Sequence, residues 1–198
     1  MEIAITEQVS RERELNSLAT VTLIVTLVAV TMTFGALIVV FLMRSVSGEF
    51  WTHIHLPDIL WVSCALLVAS SFLFERGRKK LVSHDTPGFH ALTRWTVLLG
   101  LAFLACQIAA GYQILHSGVI LRNNPHSWFM FIFGGLHALH IIAGLSGFVV
   151  LYRRTRERAT GPRYQMVTRV TARAVGLFWH YMDGMWLVLF ALLLFWHR

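Results

Sequence analysis

Five apolar runs, each near the length that crosses a bilayer, constrain this chain more than anything else in it. They lie at residues 20–43, 59–74, 95–115, 127–152 and 174–196, and the second may be extended back towards Leu56. A bilayer core takes about 20 apolar helical residues. Lipid offers no hydrogen bonds to the backbone, so each run must satisfy its own peptide groups as a helix. The expected fold class is therefore all-α: a polytopic membrane bundle of five transmembrane helices. With 198 residues, little chain remains outside the spans. We read residues 1–198 as one domain, with a polar segment at 1–19 able to form a short surface helix.

The formal charge of +7 raises nucleic-acid binding as a first thought. Its distribution points elsewhere. Of the 17 lysines and arginines, only Arg44, Arg122 and Arg198 fall on one side of the five spans; the other 14 fall on the opposite side. That asymmetry is the positive-inside pattern. It places the N-terminus in the cytoplasm and the C-terminus outside, with the basic loops against anionic headgroups. No nucleic-acid partner is expected. The first 19 residues hold Glu2, Glu7, Glu12 and Glu14 and no apolar core, so the first span is read as its own insertion signal. Cys64 and Cys106 lie within spans with no Cys-x-x-Cys pair, which argues against a disulfide framework or a thiolate metal site.

Along the chain, Gly35–Ala36 offers a close-packing spot in the first span. The next loop carries His53 and His55, two histidines without an obvious third ligand. Ala65, Ala69, Ser70 and Ser71 are small residues suited to helix contact in the second span. Glu75 to Lys80 stops transfer, and Pro87–Gly88 and Asn123 to His126 read as turns. Gln107 places an amide near mid-membrane. His137, His140, Gly144 and Gly147 share one helical face of the fourth span. Six tryptophans, at 51, 61, 95, 128, 179 and 196, fall near the expected interfaces, and Trp186 lies deep.

The fifth span poses the sharpest chemical question. Asp183 is its acid, with His180 one turn earlier on the same face. A carboxylate inside a bilayer costs about 2.5–3.5 kcal/mol on insertion scales, so it should face protein and find a partner. Counting about 1.5 Å per residue from the basic ends, His140 lies roughly 18 Å deep and Asp183 roughly 14 Å. Asp183 is thus expected to pair with His140 across a seam or with His180 in its own helix.

These groups do not assemble into redox chemistry. His137 and His140 are too close on one helix to ligate stacked haems, leaving only His180 opposite. A di-metal carboxylate centre needs several glutamates, and the spans hold one acid. A proton transporter needs a longer chain of titratable groups. No catalytic, cofactor-binding or metal-binding residue is expected. The reading is a structural polar network of Gln107, His137, His140, His180 and Asp183, with Gly144, Gly147, Trp179 and Trp186 packing the helices.

At these residues the chain resembles subunit III of the haem-copper respiratory oxidases. Leu136-His-Ala-Leu-His140, followed by Gly144, is similar to that family's His-Gly-Leu-His-x-x-x-Gly segment. Trp179-His180-Tyr181 with Asp183 and Trp186 is similar to its Trp-His-Phe-x-Asp-x-x-Trp segment. Leu56–Pro57 and Gln107 also match, and the likeness covers all five spans of the short bacterial form. Two family acids are missing, at Val30 and Ala110, and the roles of those acids are not carried over. The resemblance implies a non-catalytic subunit in a bacterial inner membrane. It would flank subunit I, hold phospholipid and sustain turnover. Haem and copper would sit in partner subunits I and II. Nitric-oxide-reductase-associated relatives and a stand-alone membrane transporter are the alternatives.

Overall fold

A computed structural model describes residues 2–47, 57–116, 125–156 and 162–195. The described residues form five helices: α1 (Glu2–Ser47), α2 (Ile59–Val82), α3 (Thr86–His116), α4 (Pro125–Arg156) and α5 (Pro162–Phe195). All five contain a segment long and apolar enough to cross a membrane, so this is a multi-pass membrane protein. His53, His55, Trp51, Trp196, Arg122, Arg198 and the Asn123–Asn124 turn lie outside the described residues.

The helices outrun the apolar segments that seed them. α1 absorbs the polar segment at 1–19 instead of leaving a separate surface helix, reaching 46 residues. At 1.5 Å per residue that is about 69 Å, more than twice a bilayer core of about 30 Å. α2 likewise continues through the charged stretch Glu75–Lys80 to Val82. Charges end a membrane span without ending a helix, because Glu, Arg and Lys are good helix formers.

α2 and α3 make an antiparallel hairpin. The turn lies at Ser83 to Asp85, not at Pro87–Gly88. His84 takes the left-handed conformation at φ 61. The Ser83 N–H donates to Lys79 O (3.1 Å) and the Asp85 N–H to Lys80 O (2.9 Å), closing α2. Asp85 Oδ1 accepts from the Gly88 N–H (3.0 Å) as an N-cap, and Lys80 Nζ lies 2.9 Å from Asp85 Oδ2. Pro87 belongs to the first turn of α3, where a missing N–H costs nothing. Lys80 and the Gly88 N–H together hold the Asp85 carboxyl below its usual range.

α2, α3, α4 and α5 close a four-helix ring in which each helix packs on two others, and α1 leans on α5 and α4 from outside. α1 touches the ring along one stripe, Val30, Phe34 and Phe41. Phe41 meets Phe129 edge-on at 5.4 Å, and Thr31 hydrogen-bonds Tyr181. Gly35 is not the close-packing spot its type suggests, since a Cβ there would meet nothing within 4 Å. Phe34 fills the interface and keeps the backbones apart.

The ring interior is aromatic: Phe74, Phe89, Phe103, Phe133, Phe148 and Trp179 are all fully buried. Trp61, Trp95 and Trp128 are more than half exposed, as residues facing lipid would be. Trp179 departs from the interface belt and is 0% exposed. It stands where Gly100 of α3 and Gly144 of α4 remove their side chains. A Cβ at Gly100 would fall 2.9 Å from its Cη2, and one at Gly144 2.9 Å from its Cε3. Gly147 plays the same part for Val175, at 3.1 Å.

Candidate functional site

The polar groups of the interior divide into three separate sets. The first joins α5 to α2. Ser71 on α2 donates to Asp183 Oδ2. The same Ser71 oxygen lies 2.7 Å from His180 Nδ1. With the serine proton engaged by the carboxylate, the imidazole N–H is the donor in that second bond. Asp183 is buried at 5% exposure, and its Oδ1 has no hydrogen-bond partner. One turn away, the Trp179 Nε1–H donates to Ser70 Oγ (3.0 Å), while Ser70 donates back to Leu67 O.

His140, the partner expected for Asp183, goes elsewhere. Its Nδ1 bonds to Leu136 O of its own helix at 2.7 Å, and its ring packs on Phe34 at 5.5 Å. Equal depth in the bilayer does not bring the two together, because the α4–α5 seam is filled by Trp179 against Gly144. The Asp183 face of α5 looks at α2 instead.

The second set is His137. It is fully buried, with neither ring nitrogen hydrogen-bonded, inside a box of Trp186 (4.9 Å), Phe103 (5.6 Å) and Phe34 (6.4 Å). Trp186 stacks on it at a tilt of 32° and meets Phe103 edge-on. The third is Gln107, whose amide lies 3.4 Å from Ser63 Oγ, tying α3 to α2.

Sequence reasoning read Ala65, Ala69, Ser70 and Ser71 alike as small residues suited to helix contact. In the fold Ala65 and Ala69 face outward, and Ser70 and Ser71 turn inward. Their hydroxyls are the partners of Trp179 and of the His180–Asp183 pair. The available signal was chemical and general: a buried acid needs a donor, and a serine hydroxyl on another span can supply one.

Among the described residues no group of three or more His, Cys, Asp or Glu side chains could hold a metal ion. Cys64 and Cys106 are both free. At the α2–α5 contact a serine, a histidine and a carboxyl group are linked by hydrogen bonds.

No family model matches the chain. Curated proteins do. It is 34% identical over 134 residues to the probable cytochrome c oxidase subunit 3 of Nocardia farcinica, covering 66% of this chain and 63% of that protein. It is 30% identical over 131 residues to the cytochrome c oxidase subunit 3 of Synechocystis, covering 66% and 54% respectively. The match to the Thermostichus vulcanus cytochrome c oxidase subunit 3 is longer, 27% identity over 175 residues and 84% of that protein. These curated proteins, 27–34% identical over most of this chain and all named cytochrome c oxidase subunit 3, support the subunit III family. The chain spans less than two thirds of the length of the Nocardia and Synechocystis members. Within the subunit III fold, the two positions that resemblance marks for missing acids, Val30 and Ala110, are 5% and 1% exposed. Both belong to the buried hydrophobic core.

Proposed function

We propose that this chain is the non-catalytic subunit III of an aerobic haem-copper terminal oxidase in a bacterial plasma membrane. Electron transfer to oxygen and the coupled proton translocation belong to the complex. Haem and copper are held by subunits I and II, and this chain supports their stability and sustained turnover while binding phospholipid between its helices. Its N-terminus is cytoplasmic and its C-terminus external.

The similarity to subunit 3 proteins from several bacteria carries this reading. It agrees with an interior of packed aromatics and short hydrogen-bonded sets. The polar network, read site by site, is structural: Ser71, His180 and Asp183 tie α5 to α2, Gln107 ties α3 to α2, and His137 and Trp186 fill the ring. Gly144, Gly147 and Trp179 set the helix spacing.

Purification of the full chain from its own membranes in mild detergent tests the proposal. Haem-bearing partner subunits that consume oxygen are expected to accompany it. A chain that purifies alone with its own Soret band, lost in His140→Ala, would overturn it. The absence of two family acids, with Val30 and Ala110 in their places, leaves a nitric-oxide-reductase-associated relative as the second reading. Nitric oxide consumption by the purified complex, without oxygen consumption, would favour that reading.

A further inference from the structure

The Ser71 set continues to the protein surface. His180, which bonds to Ser71, also lines a cleft of about 180 Å³ between α2 and α5. The cleft is walled by Glu75, Arg78, Arg173, Gly176 and Leu177, at the end of the bundle that carries the basic loops. Glu75 and Arg78 pair with each other at 2.7 Å across its rim, and Arg173 faces them from α5. His180 thus borders both the cleft, whose wall includes Glu75, and the Ser71 hydroxyl that bonds to the buried carboxyl.

We propose that Asp183 is a proton-binding site inside the helix bundle, filled from the α2–α5 cleft through His180 and Ser71. Three observations carry this. Asp183 is buried, and neither ion pair of the described helical hairpin, Arg78–Glu75 or Lys80–Asp85, includes it. One carboxyl oxygen has no hydrogen-bond partner, an arrangement far more costly for an anion than for a neutral acid. The other oxygen ends a chain of donors, imidazole N–H to serine O–H to carboxyl, whose first member reaches the cleft.

The transfer balances. A proton from the cleft binds His180 Nε2 while the Nδ1 proton passes to Ser71 Oγ, and the serine proton passes to Asp183 Oδ2. The imidazole ends neutral with its proton on Nε2, the serine is again a hydroxyl, and the carboxylate has become a carboxylic acid. Each hydrogen bond in the chain is then reversed: the acid donates to Ser71, and Ser71 donates to His180 Nδ1. Release runs the same steps backwards. Glu75, Arg78 and Arg173 face His180 and set the field at the mouth; Ser71 is the hydroxyl facing Asp183 from α2. Among the described residues no hydrogen bond continues the chain beyond Asp183, whose Oδ1 has no partner, so the proposed store has one entrance.

Infrared difference spectroscopy on the full-length protein, purified with whatever subunits accompany it, tests this. Subtracting Asp183→Asn from wild type should leave a carboxylic-acid C=O band at neutral pH, shifted on transfer to heavy water. Ser71→Ala and His180→Phe should keep the band and slow its exchange. Ser71→Thr, which retains the hydroxyl, should restore the rate. Absence of the acid band would overturn the site. Unchanged exchange in Ser71→Ala would overturn the route, and does not depend on the His180 variant folding.

Discussion

Gly144→Ala is expected to destabilise the protein by pressing a methyl group into Trp179. The new Cβ would lie 2.9 Å from Cε3 and 3.1 Å from Cζ3 of the indole. Carbon atoms rest at about 3.5–4.0 Å, so the overlap is at least about 0.6 Å. The ring has no room to retreat, because its far edge faces Gly100 and the Nε1–H is held by Ser70 at 3.0 Å. Overpacking of this kind costs about 1–3 kcal/mol. Losing the Ser70 bond adds about 1 kcal/mol. Alanine also gains about 1 kcal/mol over glycine in a helix interior. Gly35→Ala is the control, since it makes that gain with nothing within 4 Å of the new methyl. The two variants should differ by about 2–4 kcal/mol, the sum of the two costs. Thermal unfolding in one mild detergent measures this, and the melting temperature of Gly144→Ala should fall well below that of Gly35→Ala. Trp179→Phe removes the ring atoms in question and should recover part of the loss in a double-mutant cycle. Equal melting of the two alanine variants would refute the clamp.

Asp183→Ala removes both the carboxyl and the α5–α2 tie, and should lower assembly or thermal stability of the complex more than turnover of whatever complex survives. A fully assembled, equally stable variant with turnover abolished would show a catalytic role instead. Single cysteines placed at position 160 and at the C-terminus should be labelled from inside and from outside intact cells respectively; the reverse pattern would invert the topology. The Asp85 carboxyl titrates below its unfolded value, near 3.9. Its contribution is thus present above that pH and lost as pH falls through the lower folded value. Amide protection factors from Ser83 to Gly88, taken relative to the intrinsic exchange rate at each pH, should fall on acidification, and Asp85→Asn should flatten that dependence.

The five spans were legible because bilayer length and apolarity are local properties of sequence. Where the helices end was less so. Glu75 to Lys80 stops a span by charge, yet continues as helix because those residues favour it. The turn at His84 rests on one left-handed residue that carries no strong sequence signal. Pairing was the least legible. Depth along the membrane normal follows from counting, so His140 and Asp183 could be placed at similar levels. Rotation about each helix axis does not follow, because it is set by how large side chains meet small ones. Trp179 between Gly100 and Gly144 fixes that rotation, and it turns Asp183 towards Ser71. The motif that carries Trp179, His180 and Asp183 was readable as a unit. The serines that complete it sit more than a hundred positions earlier, with nothing local to mark them.

The placement of α1 has a consequence for biosynthesis. It is the first of the five helices to leave the ribosome, yet its docking surface is α4 and α5, the last two. Thr31 meets Tyr181 across 150 positions of chain. Until α4 and α5 emerge, α1 lacks the surface within this chain on which it docks. It is the most apolar of the five spans and the least buried in the finished fold. Lone residence in the bilayer is thus a state its composition already suits. The ring of α2 to α5 can close by neighbour pairing as each helix arrives, and α1 completes the subunit by lateral association at the end.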